Sequence, residues 1–188
     1  MTNATAVGAG SGREDLLDAA ERLFYARGFQ AVAMADIREL SGLSLKRIYQ
    51  LYPGKEELLV AVLQRRDDRW RGRLATYVDQ FDDPQRRILA VFDWLHSWFS
   101  EADFRGCAWI NTFGELGANS PAVASATRDH KRAFRRYIAR LVADSGHPEE
   151  LTAGIFLLAE GAVVTAGITG TPGPATEARA AMSRLLAT

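Results

Sequence analysis

The sequence predicts an all-α protein in two parts, a three-helix unit at the N-terminus and a larger helical body after it. Three observations carry this. Apolar residues recur at helical spacing, and no window sustains the alternation of a strand. Glycine, serine and proline fall where helices of ordinary length would start and stop. The composition, 47% hydrophobic and 24% charged over 188 residues, is enough for one substantial core or for a small unit joined to a larger one. About nine helices are expected, packed in the manner of helical bundles.

Residues 1–12, "MTNATAVGAGSG", read as a flexible tail; they lack the basic run and apolar stretch of a secretory signal. Ser11 with Glu14 three residues later has the spacing of a capping box. Leu16, Leu17, Ala20, Leu23 and Phe24 then form one apolar face, and Gly28 supplies a stop. A second helix is expected over residues 34–41 with Ile37 and Leu40 inward. Gly42 ends it by taking a positive backbone dihedral. Leu43 fills the gap to a third, very short helix, which Ser44 caps and Pro53-Gly54 follows. A fourth helix begins near Lys55, has Glu56 and Glu57 where the helix dipole favours them, and runs to about residue 79 as a link. The expected division is thus residues 13–54, a linking helix, and a body over 80–188.

In that body the helices are longer and more aromatic. Their starts are expected at Pro84, at Arg105 or Gly106, at Ser120-Pro121, at Pro148 and at Pro174, since proline suits a first helical turn. The stretch "LTAGIFLLAEGAVVTAGI" (151–168) approaches the length of a membrane span. It contains Glu160 and lacks aromatic or basic flanks, so it reads as a buried interface helix and no membrane partner is expected.

Net charge is zero, so any basic footprint for nucleic acid has to be local. One such footprint exists. Between Arg38 and Lys55 stand Arg38, Lys46, Arg47 and Lys55 against a single acid, Glu39. Two helices joined by a glycine turn, the second one short, form the helix-turn-helix arrangement. In it the N-terminal residues of the second helix reach base edges in the major groove. Here these are Ser44, Leu45, Lys46 and Arg47, followed by Tyr49 and Gln50. Arg and Lys donate to guanine, Gln pairs with adenine, and Tyr49 and Lys55 suit phosphate oxygens. Ile48 and Tyr52 read as core.

Residues 13–64 resemble the DNA-binding domain of the tetracycline-repressor (TetR) family of bacterial regulators. The elements A-x-x-L-F-x-x-x-G-[FY], D-I, G-[VL]-S, [LI]-Y-x-x-[FY] and K-E-x-L occur in order in "AAERLFYARGFQAVAMADIRELSGLSLKRIYQLYPGKEELL". A capped glycine turn alone occurs in many small helical proteins; five ordered elements at fixed spacing do not. "FRGCAWINTFGEL" is similar to an R-G-C-x-x-x-N-x-x-x-E-L run found in some members. The sequence departs from the family where Thr or Ser often precedes the second helix, since Val32, Ala33 and Met34 stand there. Leu51 stands where histidine is frequent.

The resemblance implies a cytoplasmic, dimeric, ligand-responsive regulator, usually a repressor, that binds a pseudo-palindromic double-stranded DNA operator and is released by a small molecule. It also implies an effector pocket in the body. An aromatic stripe at helical spacing reads by itself as plain core; given the resemblance, with a few polar groups beside it, it suits a small apolar or aromatic effector. The candidates are Trp94, His96, Trp98, Cys107, Asn111, Thr112, Phe113 and Glu115. Leu151, Ile155, Leu158, Ala162 and Ala166 make an apolar stripe that could simply dock on its own chain; the resemblance favours it as the dimer stripe. The competing class is a helical small-molecule-binding or interaction protein without DNA function.

Enzyme readings find little support. "GAGSGR" lacks a preceding strand and the last glycine of a dinucleotide loop, and "GITGTPG" lacks the Lys-Ser/Thr of a phosphate loop. The three histidines show no metal-ligand spacing, and no nucleophile-elbow serine occurs. No catalytic residue, metal or cofactor is therefore expected. The single cysteine excludes an internal disulfide and favours a reducing compartment.

Overall fold

The structure, a computed structural model, describes residues 4–187, with side chains described for residues 12–187. Among these residues the chain is all-α: α1 (Ala4–Arg27), α2 (Met34–Ser41), α3 (Leu45–Leu51), α4 (Lys55–Val78), α5 (Pro84–Phe99), α6 (Ala108–Leu116), α7 (Pro121–Asp144), α8 (Leu151–Thr169) and α9 (Gly173–Leu185). The expected bounds of α2 and α3 hold. The others shift in instructive ways. Residues 4–12 are helical rather than a free tail, and Ser11 lies inside α1 instead of capping it. Three glycines in that turn lower helix propensity, yet no proline forbids it; residues 1–3 of the expected tail lie outside the described residues. α6 starts at Ala108 and α8 at Leu151, each later than expected, and Pro148 sits in a preceding turn that accepts from Leu151 N–H.

Packing divides the chain into two units. One holds α1, α2, α3, α4 as far as Arg66, and residues 108–127. The other holds residues 67–107 and 128–188. The boundaries read from sequence, at residues 54 and 80, therefore differ from those of packing, because α6 joins the N-terminal helices. Its Glu115 accepts from the backbone N–H groups of Phe29 (3.2 Å) and Gln30 (3.0 Å). Just beyond it, Ser120 donates to Glu56 at 2.6 Å. These partners are 64 to 86 residues apart, a range no local pattern encodes.

The first unit's core is the expected apolar face of α1 (Leu16, Leu17, Ala20, Phe24) with Ile37, Ile48, Leu58 and Leu63, all buried. Leu40 is 43% exposed and does not face inward as expected; in an eight-residue helix the single buried Ile37 already anchors the contact. Arg65 ties α4 to α1 through Glu14 (2.9 Å), Asp18 (2.8 Å) and Glu21 (3.0 Å).

In the second unit Trp70 meets Trp94, Trp98 and Phe134 edge-on, with ring centroids 5.1, 5.6 and 5.2 Å away. Such pairs contribute about 0.5–1.5 kcal/mol each beyond their burial. Asp93 on α5 accepts from Arg86 and from Arg179 on α9, both at 2.6 Å, pinning the α5–α9 contact. α8 packs on α9 and α5.

A hydrogen-bonded His–Asp pair, with the imidazole buried and the carboxylate half-buried, borders the ring cluster. His130 Nδ1 lies 2.6 Å from Asp67 Oδ1, and the imidazole stands edge-on to Trp70 at 5.2 Å. Burial holds the imidazole below its ordinary value, with Lys131 adding to this and Asp67 opposing. Burial acts to raise Asp67, but hydrogen bonds from His130 and Arg71 outweigh it, so the carboxyl lies below its usual range. The unfolded imidazole thus takes up a proton before the folded one does, and stability falls as pH drops through the ordinary histidine range. The Asp67 contribution is lost only at lower pH, as the folded carboxyl titrates. Urea midpoints at pH 7.5 and 5.5 are expected to differ in the native chain, and to differ less in a His130→Gln variant.

Candidate nucleic-acid interface and ligand recess

α3 has seven residues, too few to be stable alone. Its ends and one buried side chain hold it. Gly42 takes φ 70°, and its N–H donates to Arg38 O at 3.0 Å. Ser44 adopts extended backbone, and its hydroxyl accepts from Arg47 N–H at 3.2 Å. Ile48 is wholly buried. At the C-terminal end, Tyr52 N–H donates to Ile48 O (2.9 Å), while Arg13 Nε–H donates to the buried Tyr52 hydroxyl (3.0 Å). Ile48 and Tyr52 are core, as the sequence predicts.

The same helix presents an open outer face. Tyr49 is 49% and Leu45 39% exposed, and Ser44, Lys46 and Gln50 are also exposed. Arg47 is half-buried. Neither Lys46 nor Arg47 has an ion-pair partner among the described residues, so both charges are unspent. Lys55 differs from the rest of the expected set. It is half-buried at the start of α4, its ammonium 4.1 Å from the centre of the Phe29 ring. Burial lowers its pKa, while Glu115 and Asp36 oppose the shift.

α2 starts without a hydroxyl cap. Ala33 takes the N-cap position and contributes no side-chain acceptor; Asp36 alone accepts from Ala33 N–H, at 2.9 Å. Asp36 also lies 3.4 Å from Arg27.

The expected effector residues separate. Asn111, Thr112 and Glu115 line a recess of about 130 Å³ among α1, α4 and α6, wholly within the first unit. Phe24, Leu59, Val62 and Ala108 supply much of its apolar wall. Phe113 is 45% exposed and does not line it. Trp94 and Trp98 belong to the second unit's ring cluster and are 4% exposed each, which makes them core instead of lining. His96 is exposed on α5. Cys107 is buried, with Lys131 Nζ 3.5 Å from its sulfur and 2.6 Å from Glu160. The recess's α1 and α4 walls were missed because nothing in the sequence couples Phe24 to Thr112.

The expected dimer stripe is also corrected. Ile155, Ala162 and Ala166 are buried, and Leu151 and Leu158 are half-buried, so this stripe docks on its own chain. α8's open apolar side is Leu157 (67% exposed), Val164 (39%) and Ile168 (80%). Gly161, one turn from both Leu157 and Val164, is exposed beside them.

Two family models match the chain: bacterial regulatory proteins of the tetR family over residues 16–62, and the C-terminal domain of tetracyclin-repressor-like proteins over residues 84–182. A transcriptional repressor of Escherichia coli, ComR, is 30% identical over 115 residues, 60% of this chain and 55% of that protein. A transcriptional activator of Mycolicibacterium smegmatis, FasR, is 36% identical over 87 residues, 44% of this chain and 40% of that protein. The chain thus spans about half the length of the curated relatives it matches. Among solved structures, a TetR-family regulator from Streptomyces coelicolor superposes with TM-score 0.85 at 23% identity, covering 94% of this chain and 95% of that one. A TetR regulator from Chloroflexus aurantiacus gives TM-score 0.85 at 25% identity, covering 96% of each.

The caps give a paired prediction. Ser44→Ala is expected to cost about 1 kcal/mol, and Ala33→Ser to add up to about 1 kcal/mol by completing the box with Asp36. Urea denaturation of the two variants checks both signs.

Proposed function

The chain is a member of the tetR family of bacterial regulatory proteins, and from that premise we propose that it is a cytoplasmic, DNA-binding transcriptional regulator. One observation carries the reading: a capped, anchored α3 keeps Leu45, Lys46, Tyr49 and Gln50 in solvent with Arg47 half-buried beside them. In the proposed complex α3 lies in the major groove. Lys46, Arg47 and Gln50 address base edges, Leu45 touches the groove floor, and Ser44 and Tyr49 meet phosphates. Lys55 acts at the rim, where leaving Phe29 for a phosphate exchanges one favourable contact for another.

The chain works as a homodimer, joined through α8 by Leu157, Gly161, Val164 and Ile168. Large apolar side chains around an exposed glycine allow two copies of one helix to approach closely about a two-fold axis. Two α3 helices then read half-sites about 34–36 Å apart, one duplex turn. As a repressor, the free dimer holds operator. An effector releases it by preferring a state with the wrong spacing, a coupling of about 1–3 kcal/mol.

Selection of bound duplexes from a random pool is expected to return a two-fold repeated sequence. Arg47→Ala is expected to relax preference at one position per half-site. Lys55→Ala is expected to weaken all sequences and to lower the slope of log affinity against log salt by about 1 per subunit. Tyr49→Phe is expected to weaken all sequences alike with the slope unchanged. A pool that yields no enriched duplex defeats the reading. Separately, Ile168→Glu is expected to convert the dimer to monomer in sedimentation and to lower operator affinity steeply.

A further inference from the structure

The recess in the first unit has a size, a charge balance and one unmet hydrogen-bond donor, and together they describe an occupant. At about 130 Å³ it matches a single aromatic ring, since an apolar cavity of about 150 Å³ takes up benzene. Its charges are already committed. Arg66 Nη1 lies 2.8 Å from Glu21, and the two Glu115 oxygens accept from Phe29 and Gln30 N–H. A charged ligand would enter without a free counter-charge. One buried donor in its wall is left over: among the described residues Arg66 Nε has no hydrogen-bond partner, and its guanidinium stacks 4.0 Å from the Tyr25 ring. Both residues line the recess.

We propose that this recess is an effector site for a neutral single-ring aromatic molecule carrying one hydrogen-bond acceptor, which Arg66 Nε–H meets. The proposal rests on the regulator reading above and places the effector inside the unit that holds α3. Glu115 makes the link. It is both a wall of the recess and the clasp on the turn between α1 and α2. The clasp has little slack, since a Cβ at Gly28 would stand 2.9 Å from Glu115 Oε1, and Gly28 itself has φ 80°. An occupant that shifts this carboxylate loosens two backbone hydrogen bonds at the entry to the helix-turn-helix.

Three probes of similar shape test this on the full chain: acetophenone (neutral, with an acceptor), cumene (no acceptor) and benzoate (charged). Titration calorimetry and ligand-observed NMR report binding, and fluorescence anisotropy on the selected operator reports DNA affinity. Acetophenone is expected to bind about tenfold more tightly than cumene or benzoate and to weaken operator binding. Ala108→Leu, which fills the recess, is expected to abolish uptake of all three, with helical circular dichroism retained. Arg66→Lys keeps a charge for Glu21 but removes the Nε donor, and is expected to erase the preference for acetophenone over cumene. If Ala108→Leu fails to fold, the Arg66→Lys comparison decides. No acetophenone binding, preference for benzoate, unchanged binding in Ala108→Leu, or binding that leaves operator affinity untouched overturns the proposal. A chain that takes up acetophenone in the recess but binds no duplex sinks the regulator reading instead.

Discussion

A seven-residue helix that must stay open to solvent has almost nothing with which to hold itself in place. Nucleating a helix costs more than its first hydrogen bonds return, and packing normally makes up the difference. In α3 full burial is limited to Ile48, because the outer face carries the polar and aromatic side chains that the proposed function needs outside. The chain compensates at the ends. Gly42 supplies a conformation that would strain other residues, Ser44 satisfies an orphan amide, and Arg13 of α1 reaches the hydroxyl of Tyr52. Each device fixes the backbone without covering the outer face, so exposure and rigidity are reconciled.

That arrangement is extended by α6, which joins the N-terminal helices although it lies far along the chain. A carboxylate accepting from two successive backbone amides, as Glu115 does at Phe29 and Gln30, makes charge-assisted bonds stronger than neutral ones. Loss of such an acceptor would strand two donors that are not in a helix ladder. The turn after α1 is therefore set by a residue 85 or 86 positions away, and the orientation of α2 and α3 inherits that dependence.

How far the sequence could be read depends on whether the deciding force was local. α2 and α3 were legible to the residue because glycine dihedrals and a serine cap act within four positions. The fold class was legible because a helical period persists along the whole chain. Leu40 misled because one buried residue suffices for so short a helix. Trp94 and Trp98 misled because an aromatic stripe at helical spacing looks the same whether it lines a cavity or fills a core; only the unanticipated Trp70 on α4 closes the cluster. Ser11 misled because a capping pair marks a start only where the helix does not continue upstream. Asn111, Thr112 and Glu115 do come together on one recess, since they share a short helix, but the opposite wall comes from α1 and α4.

α8 failed in the most general way. Periodicity assigns a buried face by contrast with a polar one, and α8 offers little contrast, being apolar nearly all round. The stripe through Ile155, Ala162 and Ala166 and the one through Leu157, Val164 and Ile168 are equally plausible as letters. Structure separates them, because α9 and α5 cover the first and leave the second in water. A helix apolar on every side needs covering on every side, and this chain covers only part of it. The unmet requirement is a contiguous row with an exposed glycine, self-complementary under a two-fold rotation. In the proposed dimer a second copy of the same helix would cover it. The symmetry that this imposes is the one that a pair of α3 helices would need to read a repeated half-site.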